Sequence, residues 1–283
     1  MANTTFRLAA FAFYSLLLSS SLCADFAMKS LDVQINIDKD GGASVEEQLN
    51  LVISGTSSRE LYEATRSTYS DLATWKNRTE LSEMRHHISR ANTDIANIRV
   101  IPQALQNCNS FMGTCLATLL IDYSVPARVN GSGLVKVDHY KPRTAKYSLI
   151  QDALSFEQTK TGDLVLPTGT TISIAIPPSS EKICFSSVPQ NLVDNPESSR
   201  CDQSANPRYY AGNKRLFNWQ GDVLSKFQFS YEIESPLESE VIDFFTASQD
   251  YVQQFFLGSQ GPAAVILVAV FVASIYGFNR VSR

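Results

Sequence analysis

Few residues in this chain of 283 have both the type and the spacing to do chemistry. The only histidines are His86, His87 and His139. Adjacent histidines on a helix point about 100° apart, so His86 and His87 form no chelating pair one turn apart. Both read as surface residues on a polar face. Ser179-Ser180-Glu181-Lys182 has the Ser-x-x-Lys spacing that some acyl-transfer enzymes set at a helix start. Here it follows Pro177-Pro178 in a turn and lacks the companion motifs, so chance accounts for it. Asp38-Lys39-Asp40-Gly41-Gly42 opens like a calcium loop but has no acidic terminus, and a hairpin turn explains it. No nucleophile elbow, phosphate-cradling glycine loop or histidine-rich metal motif is present. The sequence therefore offers no catalytic, cofactor-binding or metal-ligating set, and it reads as a protein without a cofactor.

Cysteine is the more informative residue. Once Cys23 is set aside with the leader, Cys108, Cys115, Cys184 and Cys201 remain. An even number suits disulfides outside the cytoplasm, and the sequence-local pairing Cys108–Cys115 and Cys184–Cys201 is expected. Both intervals are turn-rich, and closing loops this short stabilises by about 2–3 kcal/mol each. A zinc site would need tighter CxxC spacing. Asn77-Arg78-Thr79 and Asn130-Gly131-Ser132 are glycosylation sequons. Tyr209-Tyr210, beside Arg208, have the character of exposed contact residues.

These residues are positioned by a chain that alternates like β structure. Leu31, Val33, Ile35 and Ile37 alternate with polar residues, and a Lys39–Gly42 turn follows. Val45, Leu49, Leu51 and Ile53 continue the pattern, interrupted by Glu47 where an apolar residue belongs. Ser57-Ser58-Arg59-Glu60 forms a capping box that predicts a helix. Thr79 could cap a second piece carrying Leu81, Met84 and Ile88, so an inserted helical segment is expected over about 57–91. Strands are predicted at 95–105, 115–125, 133–139, 145–150, 164–166, 170–176, 216–219 and 226–233. The period-two aromatics Phe217, Trp219, Phe227, Phe229 and Tyr231 belong to strand cores. Short strands with turn residues between them predict a mainly β (α+β) fold, a β-sandwich-like body with a helical insertion.

The ends of the chain are apolar. Phe6 to Leu22, with a single positive charge, Arg7, ahead of its apolar run, reads as a signal peptide cut after Ala24. Ser235-Pro236-Leu237-Glu238 is a second capping box, and the helix it opens carries Val241, Phe244, Phe245, Val252, Phe255 and Phe256 as one stripe. Pro262 to Phe278 is 17 residues without a charge, followed by Arg280 and Arg283. At 1.5 Å per residue it reaches about 26 Å, the short end of a membrane span, and the basic tail is cytoplasmic by the positive-inside rule.

The expected organisation is thus a signal peptide (1–24), an extracytoplasmic domain (25–235), a juxtamembrane amphipathic helix (236–260), a transmembrane helix (261–279) and a short tail (280–283). A formal net charge of −4 with no basic stripe argues against nucleic acid as a partner. The sequence points to a cell-membrane protein, single-pass, with a structural, adhesive or partner-binding role. Its partners are the lipid bilayer and an outside protein or glycan, with Tyr209, Tyr210, Phe244 and Phe255 as candidate contacts. The alternatives are an accessory subunit of a larger membrane complex and, last, an extracellular hydrolase.

Overall fold

A computed structural model describes residues 25–69, 71–127, 133–141, 143–192, 201, 208–221 and 223–235. The leader, the second sequon at Asn130, the juxtamembrane stripe with Phe244 and Phe255, and the C-terminal apolar run lie outside the described residues. Among the described residues, no helix is long and apolar enough to cross a membrane.

The protein is mainly β, with several sheets and two described helices. In chain order the first elements are β1 (Asp25–Ile37), β2 (Ala43–Ser54), α1 (Thr56–Thr68), α2 (Leu72–Thr79), β3 (Ala96–Pro102), β4 (Gln106–Asn109) and β5 (Thr114–Val125). There follow β6 (Val135–Lys141), β7 (Thr144–Leu149), β8 (Glu157–Gln158), β9 (Leu164–Val165) and β10 (Thr170–Ala175). The last are β11 (Ser180–Phe185), β12 (Arg208–Tyr210), β13 (Leu216–Gln220), β14 (Val223–Leu224) and β15 (Phe229–Glu234).

A seven-stranded sheet runs in the order β13-β10-β1-β2-β5-β3, with β4 also paired to β5. A second sheet is ordered β12-β11-β15-β7-β6, and a small third one β14-β9-β8. Compactness separates a large unit, up to Asp138 and from Lys146 to Ile233, from a small one, His139–Ala145 with Glu234 onward. In the small unit Ser235 N–H donates to Arg143 O at 2.7 Å, and Arg143 Nη2 returns a bond to Ser235 O at 2.9 Å.

Period-two burial in β1, β2 and β5 makes one face of the large sheet apolar. The hairpin turn between β1 and β2 closes as expected: Asp38 N–H donates to Gly42 O at 2.8 Å while Gly41 takes φ 88. The apolar face is covered in two ways. Over β13, rings of the second sheet stack on it: Phe217 lies 5.6 Å from Phe229 and 5.8 Å from Tyr210, and Trp219 lies 5.2 Å from Phe227. Towards β2 and β5 the helical segment takes over, with Tyr62 and Trp75 rings 5.1 Å apart and Tyr62 O–H donating to Gln103 O at 2.7 Å.

Three local expectations are corrected. The first helix starts one residue before the Ser57 box, with Gly55 at the N-cap and no side-chain cap bond. The second begins at Asp71, whose carboxylate caps Thr74 N–H at 2.8 Å, and Thr79 ends it instead of starting another. Glu80 adopts a left-handed φ of 56°, and residues 81–95 form no helix. Their backbone is bound elsewhere: Ser155 N–H donates to His87 O and Ser89 N–H to Ala153 O, both at 2.7 Å. Finally, the Ser180–Lys182 stretch is strand β11, not a turn. A register shift between Glu181 and Cys184, with Lys182 at φ 45, breaks the alternation there.

Candidate functional site

Register places Trp219, Ile172, Val33, Glu47, Ile121 and Val100 in one row across the large sheet. Glu47 is the one charged member of that row, and its side chain is fully buried. A carboxylate in such a place must be hydrogen-bonded to be tolerated. Glu47 Oε2 meets His87 Nδ1 at 2.8 Å, and Oε1 accepts from His87 N–H at 2.7 Å. Tyr123 O–H, inward on the adjacent β5, donates to the same Oε1.

His87 is also fully buried, and this overturns its reading as a surface residue. Its Nε2 faces Glu83 Oε2 at 3.3 Å, and Phe156 stacks on the ring at 5.0 Å. With a carboxylate at each nitrogen, both must donate, so the ring is an imidazolium. Burial opposes that charge, but the bonds to Glu47 and Glu83 outweigh it and the net pKa displacement is upward. Glu83 is correspondingly held below the usual carboxylate range, chiefly by the His87 bond. Burial pushes the Tyr123 phenol far up, and the Glu47 charge adds to it. The cluster is a sealed bolt between strand β2 and the 83–87 segment. Both Glu47 oxygens and both ring nitrogens of His87 already have partners within the cluster.

His86 behaves differently. Burial lowers its pKa, so the ring is neutral near pH 7, and Arg90 Nη2 sits 3.1 Å from its Nε2. An arginine can only donate, which puts the imidazole proton on Nδ1. The ring stands edge-on to Tyr123 at 5.0 Å.

Immediately outside this bolt lies a groove of about 720 Å³. Met84, Ile88, Ile98 and Val100 give it an apolar floor, while Lys76, Arg85 and Arg90 supply cations. Its one acid, Asp71, already caps α2 through the Thr74 bond, which also holds its pKa down. The rigid base, cationic rim and apolar floor suit an acidic group carried on a partly apolar partner.

The remaining expected residues are dispersed. Cys108–Cys115 and Cys184–Cys201 are both bonded in the expected pairing, with Cα atoms 4.1 and 6.2 Å apart. Asn77 is exposed on α2, whereas the sequon's Thr79 is buried with its hydroxyl on Trp75 O at 2.8 Å. Tyr209 is half-buried in β12. Tyr210, expected as a contact, is only 8 % exposed and packs on Phe217. Ser180 is buried in β11, and Lys182 pairs with Glu232 at 2.7 Å. The signal for the site was Glu47, a charged residue at an inward position of an apolar face. Its partner across 40 residues left no trace in spacing.

No protein-family model matches the chain, and no curated protein matches it significantly.

Proposed function

We propose that this protein is a non-enzymatic, membrane-anchored surface protein that binds a partner outside the cell. In this reading its body is a β-sandwich-like ectodomain with a helical insertion, held by one C-terminal helix with the basic tail in the cytoplasm. The groove beside the Glu47–His87 bolt is its binding site, taking an acidic group of a protein or glycan. One observation carries this reading. Lys76, Arg85 and Arg90 ring an apolar floor whose single acid is already engaged as a helix cap. The Glu47–His87 pair beneath is fully buried, and of the histidines only His86 lines the groove. Two disulfides suit an oxidising compartment.

The test is capture from native membranes with the full-length chain, comparing the wild type with a Lys76→Glu, Arg90→Glu double variant. A stoichiometric partner lost in the variant supports the reading. A partner retained by it, or a protein released from membranes by alkaline carbonate, sinks it.

An accessory subunit of a membrane complex is the second reading. It is favoured by the aromatic stripe Val241–Phe256 and by Ala263, Ala264, Ala269, Ala273 and Gly277 in the apolar run, small residues suited to close helix packing. Partner loss on Phe244→Ser and Phe255→Ser, with the groove variant unaffected, would select it.

A further inference from the structure

The groove beside the Glu47–His87 bolt runs along a strand with an open edge. β3 ends the large sheet on its side, and among the described residues it pairs only with β5. Most of β3 is exposed. Val100 is its buried residue, and Ile98 and Val100 line the groove.

Register decides which backbone groups of β3 face the open side. Arg99 lies opposite Asp122, Val100 opposite Ile121 and Ile101 opposite Leu120. Gln103 N–H donates to Thr118 O at 2.8 Å in the same register. Antiparallel pairs alternate between bonded and unbonded, so Arg99 and Ile101 direct their N–H and C=O to β5, whereas Val100 turns both outward. The open stretch is short. Asn97, at φ 56, and a register shift between Ala96 and Arg99 bound it at one end. Pro102, which has no N–H, bounds it at the other. The opposite wall is held without help from β3, because Ile88 bridges Leu154 and Ser89 N–H donates to Ala153 O at 2.7 Å. A strand laid on β3 therefore meets a wall that is already formed.

Charge selects the occupant. Lys76, Arg85 and Arg90 line the groove against one acid, Asp71, which is bonded to Thr74 N–H. Glu83 reaches Arg85 only at 3.8 Å and is bonded to His87. Arg99 adds an exposed cation on the strand itself.

We propose that the partner is an extended peptide that adds a strand to β3, its backbone bonded to Val100 and an acidic side chain set among Lys76, Arg85 and Arg90. Side chains two apart on that strand point into the groove together. The peptide thus carries an aliphatic residue for Met84, Ile98 and Val100 and an acid two positions away. A glycan would answer the cations but leave the Val100 backbone unpaired. A second copy of this chain would set its own Arg99 and groove cations against these, which opposes self-pairing. The inference rests on the reading of the groove as a binding site and names what fills it.

The experiment selects linear nonapeptides from a randomised display library on detergent-solubilised full-length protein, with the Lys76→Glu, Arg90→Glu variant as counter-selection. The expected binders carry an acid two places from an aliphatic residue. Resynthesised with a single N-methyl group placed at each backbone amide in turn, they should lose about tenfold in affinity at the alternate positions that face β3 and little at the others. Val100→Pro removes the matching donor and should weaken binding by a similar factor. Where that variant melts below the parent, the methylated peptides decide alone, since they leave the protein untouched. Uniform tolerance of N-methylation overturns strand addition. So does a heparin hexasaccharide that binds while no peptide is enriched, or a dimer dispersed by Val100→Pro. Peptides that need the groove cations yet tolerate methylation leave the groove reading standing and the added strand refuted. Failure of the proposed function shows separately, as a native partner retained by the double variant.

Discussion

Glu47 and His87, 40 residues apart in the chain, are joined twice, once through the imidazole Nδ1 at 2.8 Å and once through the backbone N–H at 2.7 Å. One carboxylate therefore fixes both the ring and the main chain of the segment that walls the groove. Removing it by Glu47→Ala strands the His87 Nδ1–H, the His87 backbone N–H and the Tyr123 hydroxyl without an acceptor. The expected cost is about 3–5 kcal/mol, read from urea unfolding, with Glu47→Gln milder because an amide still accepts. A cost below about 1 kcal/mol for the alanine variant would contradict the bolt.

His87 and its other carboxylate partner, Glu83, set a pH dependence. His87 has a folded pKa raised above its ordinary 6.5, so its stabilisation is full below that value and disappears as pH rises through the folded pKa. Glu83 has a folded pKa lowered from 4.5, so its share is present above 4.5 and disappears as pH falls through the lowered value. Between about 4.5 and 6.5 both contribute. The urea midpoint should fall on the alkaline side, and His87→Gln should flatten that limb; an unchanged alkaline slope in the variant would refute the assignment.

Much of the architecture was legible because its signals are local. The β1–β2 hairpin, the alternating strand β5 and the aromatic period of Phe217 and Trp219 all follow from two-residue alternation against one buried face. The sequence-local disulfide pairing was legible from loop length. Helix limits were less so: Asp71 competes with the Ser57 and Thr79 signals, and the 81–95 backbone is claimed by residues 153–155, a contact no window of sequence contains. Strand β11 was hidden by its own bulge. The histidine pair was misread because adjacency on a helix was assumed, whereas His87 lies in irregular chain turned inward towards a residue of another strand.

Trp219 is where the two large sheets meet, between Phe227 and Phe229, with its Nε1–H on Ser187 O at 2.8 Å. Trp219→Ala should cost about 3–5 kcal/mol, because a cavity of that size among rings cannot collapse. Thermal unfolding followed by circular dichroism would measure it, and a loss near that of a surface substitution would count against stacked sheets.

Gly169 precedes β10 at φ 78, and a Cβ there would lie 2.9 Å from Lys29 O. Its carbonyl also accepts Leu31 N–H at 3.2 Å, so the backbones of β1 and β10 approach closely at this point. Gly169→Ala should destabilise by more than about 1 kcal/mol, since both the dihedral and the contact oppose it. Gly162→Ala, with a similar φ but open space around it, should cost less. Equal midpoints for the two variants would show that the close approach is immaterial.

The parallel pairing of β1 with β10 bears on how the molecule is made. Leu31 lies opposite Thr170, and Ile172 in turn opposite Trp219. A nascent chain emerging amino end first must leave one flank of its opening strand bare until roughly 140 further residues have appeared, with the hairpin to β2 as its early support. That bare flank is an apolar, edge-exposed template for strangers. The last strands to arrive close the barn door, so ribosome-stalled fragments ending before residue 170 should be the ones that clump and hold on to chaperones.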